Sequence, residues 1–187
     1  MEAMGKRQTA IIVALLMLWP LGATSPLRLG VDLMALPSLF SHTTRVRAEA
    51  SLGLSDEFGL RIPCNFDIEM VRNGPFYMEG AICLDYHPMG WPLCISLSLA
   101  QVGILANHPW EEKASFYFLN EMAIAWDWQT RWGLYFRPQI VIRDPNRMFE
   151  MEYKELSELF SRFAMVRFSC LVGWSFYIGP SIGDEDM

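Results

Sequence analysis

Beyond residue 23 the chain has no apolar run approaching the roughly 20 residues that a membrane-spanning helix needs. Histidine is scarce. His42, His87 and His108 lack the spacing of a metal site, and no motif joins one of them to a nucleophile and a carboxylate. The sequence therefore predicts no metal, no cofactor and no catalytic centre. No clustered basic face is present, with 15 Lys and Arg against 21 Asp and Glu, which argues against a nucleic-acid partner. Cysteine is limited to four residues. Cys83 and Cys94 share one predicted hairpin and one face, so a disulfide between them is geometrically open. Cys64 and Cys170 read as small apolar fillers.

What is present begins with a targeting pattern. Lys6 and Arg7 precede the apolar run AIIVALLMLW, followed by Pro20, Gly22 and Ala23. This order describes a secretory signal peptide over residues 1–23, with cleavage after Ala23 or, as the alternative, Ser25. No Cys lies near that position, so a lipid anchor is not expected. The barrel described below is expected over 24–179, and an acidic tail containing Asp184, Glu185 and Asp186 over 180–187.

Between those ends the dominant pattern is alternation, the signature of strands with two unlike faces. In Thr44–Leu54, Val46, Ala48, Ala50 and Leu52 share a face opposite Arg45, Arg47, Glu49 and Ser51. In Phe58–Met70, Phe58, Leu60, Ile62, Cys64, Phe66 and Ile68 oppose Arg61, Asn65, Asp67 and Glu69. Eight segments of this kind follow one another: Leu27–Leu36, the two just named, Phe76–Tyr86, one starting at Leu93, Ser115–Asp127, Arg131–Arg143 and Arg162–Ile178. Segments of about 10–13 residues match a tilted lipid-spanning strand better than the usual strand of about 5–6. Connections after the second, fourth and sixth are short, while those after the first, fifth and seventh are longer. The one around Asn73-Gly74-Pro75 is a short exception. Short inner turns and long outer loops are how outer-membrane barrels are built. The expected fold is an all-β, eight-stranded, antiparallel up-and-down transmembrane barrel. A β-sandwich or a soluble, secreted lipocalin-like carrier is the alternative.

In architecture the mature chain resembles small eight-stranded outer-membrane proteins such as OmpW, OmpX and the membrane domain of OmpA. Gly173-Trp174-Ser175-Phe176-Tyr177-Ile178 is similar to the C-terminal signal read by the barrel-assembly machinery, although residues 179–187 follow it. The resemblance implies a bacterial outer-membrane location, with membrane lipid and that machinery as partners. Pro63 and Pro138 interrupt two segments, and each should bring a bulge or a missing bond.

An eight-stranded barrel has room inside only for side chains or one small ligand. The charges expected to face inward are Arg28, Arg45, Arg47, Arg61, Arg131, Arg137, Arg143 and Arg167 against Asp32, Glu49, Asp67, Glu69, Glu79, Asp85, Glu121 and Asp127. Turning strands two and three about Asp56 sets Arg45 opposite Asp67 and Glu49 diagonal to Arg61. Turning the sixth and seventh segments about Gln129 sets Arg137 opposite Glu121 and Arg131 opposite Asp127. Such pairing favours a plugged, structural interior. The resemblance to OmpW implies another role, in which small hydrophobic molecules enter an external funnel and pass sideways into the membrane. Leu39, Phe40, Leu105, Trp110 and Phe149 could line that funnel, or could be packed loop residues. An adhesin or host-contact role for the loops, and a lipid-modifying enzyme, are further alternatives. Residues Asp144–Ser161 could extend a hairpin or form a short helix.

Overall fold

The computed structural model of the protein describes residues 25–40, 42–69, 74–106, 113–160 and 164–178. Its strands are β1 Ser25–Asp32, β2 Thr43–Gly53, β3 Phe58–Glu69, β4 Phe76–Tyr86, β5 Leu93–Ala106, β6 Lys113–Tyr117, β7 Glu121–Trp126, β8 Trp128–Gln129, β9 Leu134–Arg143 and β10 Val166–Ile178. Each pairs antiparallel with its neighbours, and β10 pairs with both β9 and β1. β6, β7 and β8 together occupy one place in the wall, so the sheet closes as an eight-stranded up-and-down barrel. The signal segment and the acidic tail lie outside the described residues.

The chain breaks the sixth wall strand at 118–120, where Leu119 has φ +50°. Here Ser98 Oγ accepts the backbone N–H groups of Asn120 (2.9 Å) and Glu121 (2.8 Å), replacing ladder bonds that the kink removes. On β5 the register against β4 shifts beside Leu99, which leaves both Leu99 and Ala100 outside and returns Gln101 to the interior. Strict alternation would have put Gln101 on the apolar face. The two prolines act through missing bonds. The β3–β4 ladder lacks pairs at Ile62 and Pro63 without changing register, and the β7–β9 ladder ends at Gln139, one residue past Pro138.

Several boundaries differ from the sequence reading. β1 ends at Asp32, and Leu33–Phe40 form a 3-10 helix instead of continuing the strand. Asp32 Oδ1 holds this departure by accepting the N–H groups of Met34 (3.0 Å) and Cys170 (2.9 Å). The seventh segment starts at Leu134 and the eighth at Val166, both later than expected. Residues Glu150–Leu159 form a helix, α1, within the connection between β9 and β10. That connection and the 3-10 helix lie at one end of the barrel, the helix end. The turns 54–57, 87–92 and 130–133 lie at the other, the turn end.

Close packing across the barrel depends on two glycines. Gly30 and Gly173 stand opposite each other on β1 and β10, and Tyr135 stands opposite Gly173 on β9. The Tyr135 ring crosses this row, so a Cβ at Gly30 would overlap its hydroxyl. A Cβ at Gly173 would overlap the Leu29 carbonyl. Replacing Gly173 with alanine is therefore expected to destabilise the barrel by about 1–3 kcal/mol, the usual range for overpacking. Equilibrium urea unfolding measures it, and a loss below about 0.5 kcal/mol would contradict the packing described.

Candidate functional site

Polarity is inverted relative to a water-soluble barrel. Outward positions are apolar along every strand: Leu29 and Val31 on β1, Ile62 and Ile68 on β3, Ile95 and Val102 on β5, Ile124 on β7, Phe136 and Ile140 on β9, Phe168 and Trp174 on β10. Of the described outward-facing strand residues, none carries a charged side chain. Inward positions hold the charges. Arg47, Glu49, Arg61, Asp67, Glu79, Asp85, Glu121, Arg137 and Arg143 are all buried.

These charges are packed in connected layers. Nearest the turn end, Arg28 Nη1 meets Asp127 Oδ2 at 2.7 Å, and Arg137 Nε meets the other oxygen of Asp127 at 3.4 Å. Arg137 Nη2 continues to Asp85 at 2.8 Å. Arg61 closes this group with contacts of 3.1 Å to both Asp85 and Glu49, and also donates to Ser96 Oγ. Three guanidinium groups thus face three carboxylates. A second group lies toward the helix end. Glu121 is surrounded by Arg167 at 3.1 Å, Arg143 at 3.7 Å and Arg47 at 3.8 Å, and Arg143 also binds Glu79 at 2.9 Å. Arg45 pairs with Asp67 beside it.

The ends of the barrel differ. At the helix end, Tyr153, Leu156 and Phe160 of the α1 region pack on Tyr77 and Leu105 of the wall, with Phe149 at the margin. The Tyr153 hydroxyl accepts hydrogen bonds from Asn120 Nδ2 and Gln101 Nε2. Burial, followed by nearby Glu79, pushes the Tyr153 phenol above its ordinary value, so it stays neutral. At the turn end a cavity of about 410 Å³ opens among Arg28, Leu52, Phe58, His87, Trp91 and Asp127. Among the described residues the lumen is covered by α1 at one end and opens into this cavity at the turns. Removing the hydroxyl with Tyr153→Phe takes the acceptor from buried Gln101 Nε2 and leaves Asn120 Nδ2 only its 3.3 Å bond to Gln101 Oε1. It should cost about 1–3 kcal/mol in urea unfolding; an unchanged midpoint would show that this hydroxyl does not fasten the cap.

Most residues expected in the lumen network meet there: Arg45, Arg47, Glu49, Arg61, Asp67, Glu79, Glu121, Asp127, Arg137 and Arg167. Arg45 does stand opposite Asp67, and Glu49 does reach Arg61 diagonally. Arg131 is a correction, because it lies exposed in the 130–133 turn. The expected register of that hairpin is corrected with it. Glu121 stands opposite Arg143, not Arg137, because the turn centres on Trp132 instead of Gln129. Cys83 and Cys94 are free buried thiols; Cys83 faces Ser98 and Cys94 faces Ala125, which separates them along the barrel.

The expected funnel residues do not line one cavity. Leu39 and Phe40 sit exposed on the 3-10 helix, Phe40 at 93%. Leu105 is buried inside, and Phe149 stacks edge-on to Tyr117 with ring centroids 4.6 Å apart. Trp110 lies outside the described residues. The sequence reading did not foresee the cap. Its signal was the spacing of Tyr153, Leu156 and Phe160, which places all three on one side of a helix.

No protein-family model, curated protein or solved structure matches this chain. Fold and lumen define it on their own terms as a small antiparallel β-barrel with an apolar wall, a charge-packed interior and a helical cap.

Proposed function

We propose that this chain is an integral β-barrel of a bacterial outer membrane, with a structural, non-conducting role. The observation that carries this reading is the wall, whose described outward-facing positions hold no charge and many large apolar groups. In water that surface would be a continuous apolar patch far larger than soluble proteins tolerate. In a bilayer it is the matching solvent, and a closed barrel leaves no backbone edge unpaired in lipid. The helix end, with its longer connections, is assigned to the outside and the turn end to the periplasm. The barrel-assembly machinery and membrane lipid are the partners this reading requires.

A structural role is favoured over solute passage by what fills the lumen. Two layers of paired charge and an apolar cap stand in series between the ends. Moving an ion along that path means breaking buried pairs, each of which costs several kcal/mol to leave unpartnered. The test is refolding residues 24–187 into detergent micelles, then comparing unheated and boiled samples by SDS electrophoresis. A β-rich protein whose unheated band migrates apart from the boiled one, and which adds no conductance steps to a planar bilayer, is expected. A barrel that stays monomeric without detergent would overturn the membrane assignment. Regular conductance steps would overturn the sealed lumen.

A further inference from the structure

The turn-end cavity is a built space that a purely structural barrel does not need. At about 410 Å³ it falls within the range of small-ligand sites, about 300–1,000 Å³. It exists because the last inward positions before the turns are small: Pro26 on β1, Ser51 and Gly53 on β2, and Gly59 on β3 opposite Gly53. Its mouth is held in shape by the Glu57 carbonyl, which accepts the His87 backbone N–H at 2.7 Å and so ties the 54–57 turn to the 87–92 turn.

The charges that line it cancel. Arg28 meets Asp127 at 2.7 Å and Arg137 meets Asp85 at 2.8 Å. The remaining carboxylate of the lining, Asp56, is exposed on the rim, where water screens it. An ion entering here would lose hydration without gaining an unpaired partner inside. Hydrogen-bonding capacity is nevertheless left over. Among the described residues Arg28 spends only Nη1, on Asp127, and its side chain keeps 22% exposure. His87 Nδ1 lies 3.3 Å from the Trp91 carbonyl, which can only accept, so the proton of the neutral ring sits there. Nε2 then remains an acceptor, 3.8 Å from Asp127 Oδ2, the same oxygen that Arg28 holds. A donor and an acceptor are thus neighbours in the cavity. Beside them Trp91 is fixed through its own backbone, with its N–H on Pro88 at 3.0 Å, while its side chain lines the cavity and the residue is 60% exposed. A hydroxyl donates and accepts at once, and an indole face suits the C–H face of a sugar ring. From these facts we infer that the cavity binds a neutral saccharide, one ring lying on Trp91 with a hydroxyl shared between Arg28 and His87. The site is made by the barrel interior and its turns, so it stands or falls apart from the membrane assignment.

The experiment is isothermal titration calorimetry on the full barrel in dodecyldimethylamine oxide, a detergent without a sugar headgroup. The probes are glucose, N-acetylglucosamine and the linear trimer of the latter. Glucosamine and glucuronate present a similar ring with a positive or a negative charge. The neutral sugars should bind, and both charged rings should bind more weakly. Tighter binding of the trimer than of the single sugar assigns the site to a glycan chain; equal binding assigns it to a free sugar. Trp91→Ala should weaken binding by about tenfold or more, as aromatic residues at the centre of a binding site do. His87→Ala should weaken it by about fivefold, the value of one hydrogen bond. Absence of binding by every neutral sugar would overturn the site. So would a charged ring that binds as tightly as glucose, or binding that Trp91→Ala leaves intact. Should Trp91→Ala fail to fold, crystals of the unaltered protein grown with N-acetylglucosamine decide. Sugar density against Trp91 supports the site, and its absence there overturns it.

Discussion

Replacing Arg61 with methionine is expected to cost about 3–5 kcal/mol of folding free energy, the loss seen when one member of a buried ion pair is removed. The size of the effect follows from position. Arg61 is 1% exposed and reaches Asp85 through Nε and Glu49 through Nη1, each at 3.1 Å, while Nη2 donates to Ser96. Methionine fills much of the same space but leaves three carboxylates facing two arginines in that layer. The same substitution at an exposed pair would lose only about 0–1 kcal/mol. Adding Glu49→Gln to Arg61→Met restores the balance of charge, so the double variant should recover part of the loss. Coupling between contacting residues of this kind runs about 0.5–3 kcal/mol. Urea unfolding of the four proteins in the cycle measures both quantities. A loss below about 1 kcal/mol for Arg61→Met would mean that water reaches this layer and screens it.

The second large effect concerns the wall. Ile140 lies near the middle of β9, outward, between Ile124 of β7 and Phe168 of β10. If lipid surrounds the barrel, Ile140→Arg puts a charge near the bilayer midplane and should cost about 2–4 kcal/mol in lipid vesicles. In water the same exposed position would tolerate arginine within about 0.5 kcal/mol. The two solvents thus predict different results for one substitution. A near-neutral Ile140→Arg in vesicles would remove the main support for a membrane location.

How much of this architecture was legible in the sequence depends on the physical signal at each place. Period-two alternation reported both faces of nearly every strand, because one face meets charge and the other only apolar groups. Pairing of Arg45 with Asp67 was legible because the 54–57 turn is short and symmetric about Asp56. The hairpin of the sixth and seventh segments misled because Gln129 continues the wall as part of β8. The true turn glycine was Gly133, whose φ of +93° suits a residue without a side chain. Centring the turn on Trp132 instead of Gln129, three residues further on, moves every partner by six, so Glu121 meets Arg143. The inward place of Gln101 was not legible, since the extra residue at the Leu99 bulge inverts the faces beyond it. The cap was hidden for a different reason. Its helix is only ten residues long and draws its order from Tyr77 and Leu105, distant in sequence.

The central claim is that apolar solvent meets the outside of this barrel. Single nitroxide labels at positions 136, 140 and 142 of β9, with 131 in the turn and 151 in the helix as references, test it directly. They would be placed in a variant with Cys64, Cys83, Cys94 and Cys170 replaced by alanine and reconstituted into phospholipid vesicles. Molecular oxygen concentrates in the bilayer and a charged nickel chelate stays in water. Collisions with oxygen at 136, 140 and 142, and with the chelate at 131 and 151, are the predicted result. Chelate collisions at all five positions would contradict the account and leave a soluble barrel whose apolar wall has some other cover.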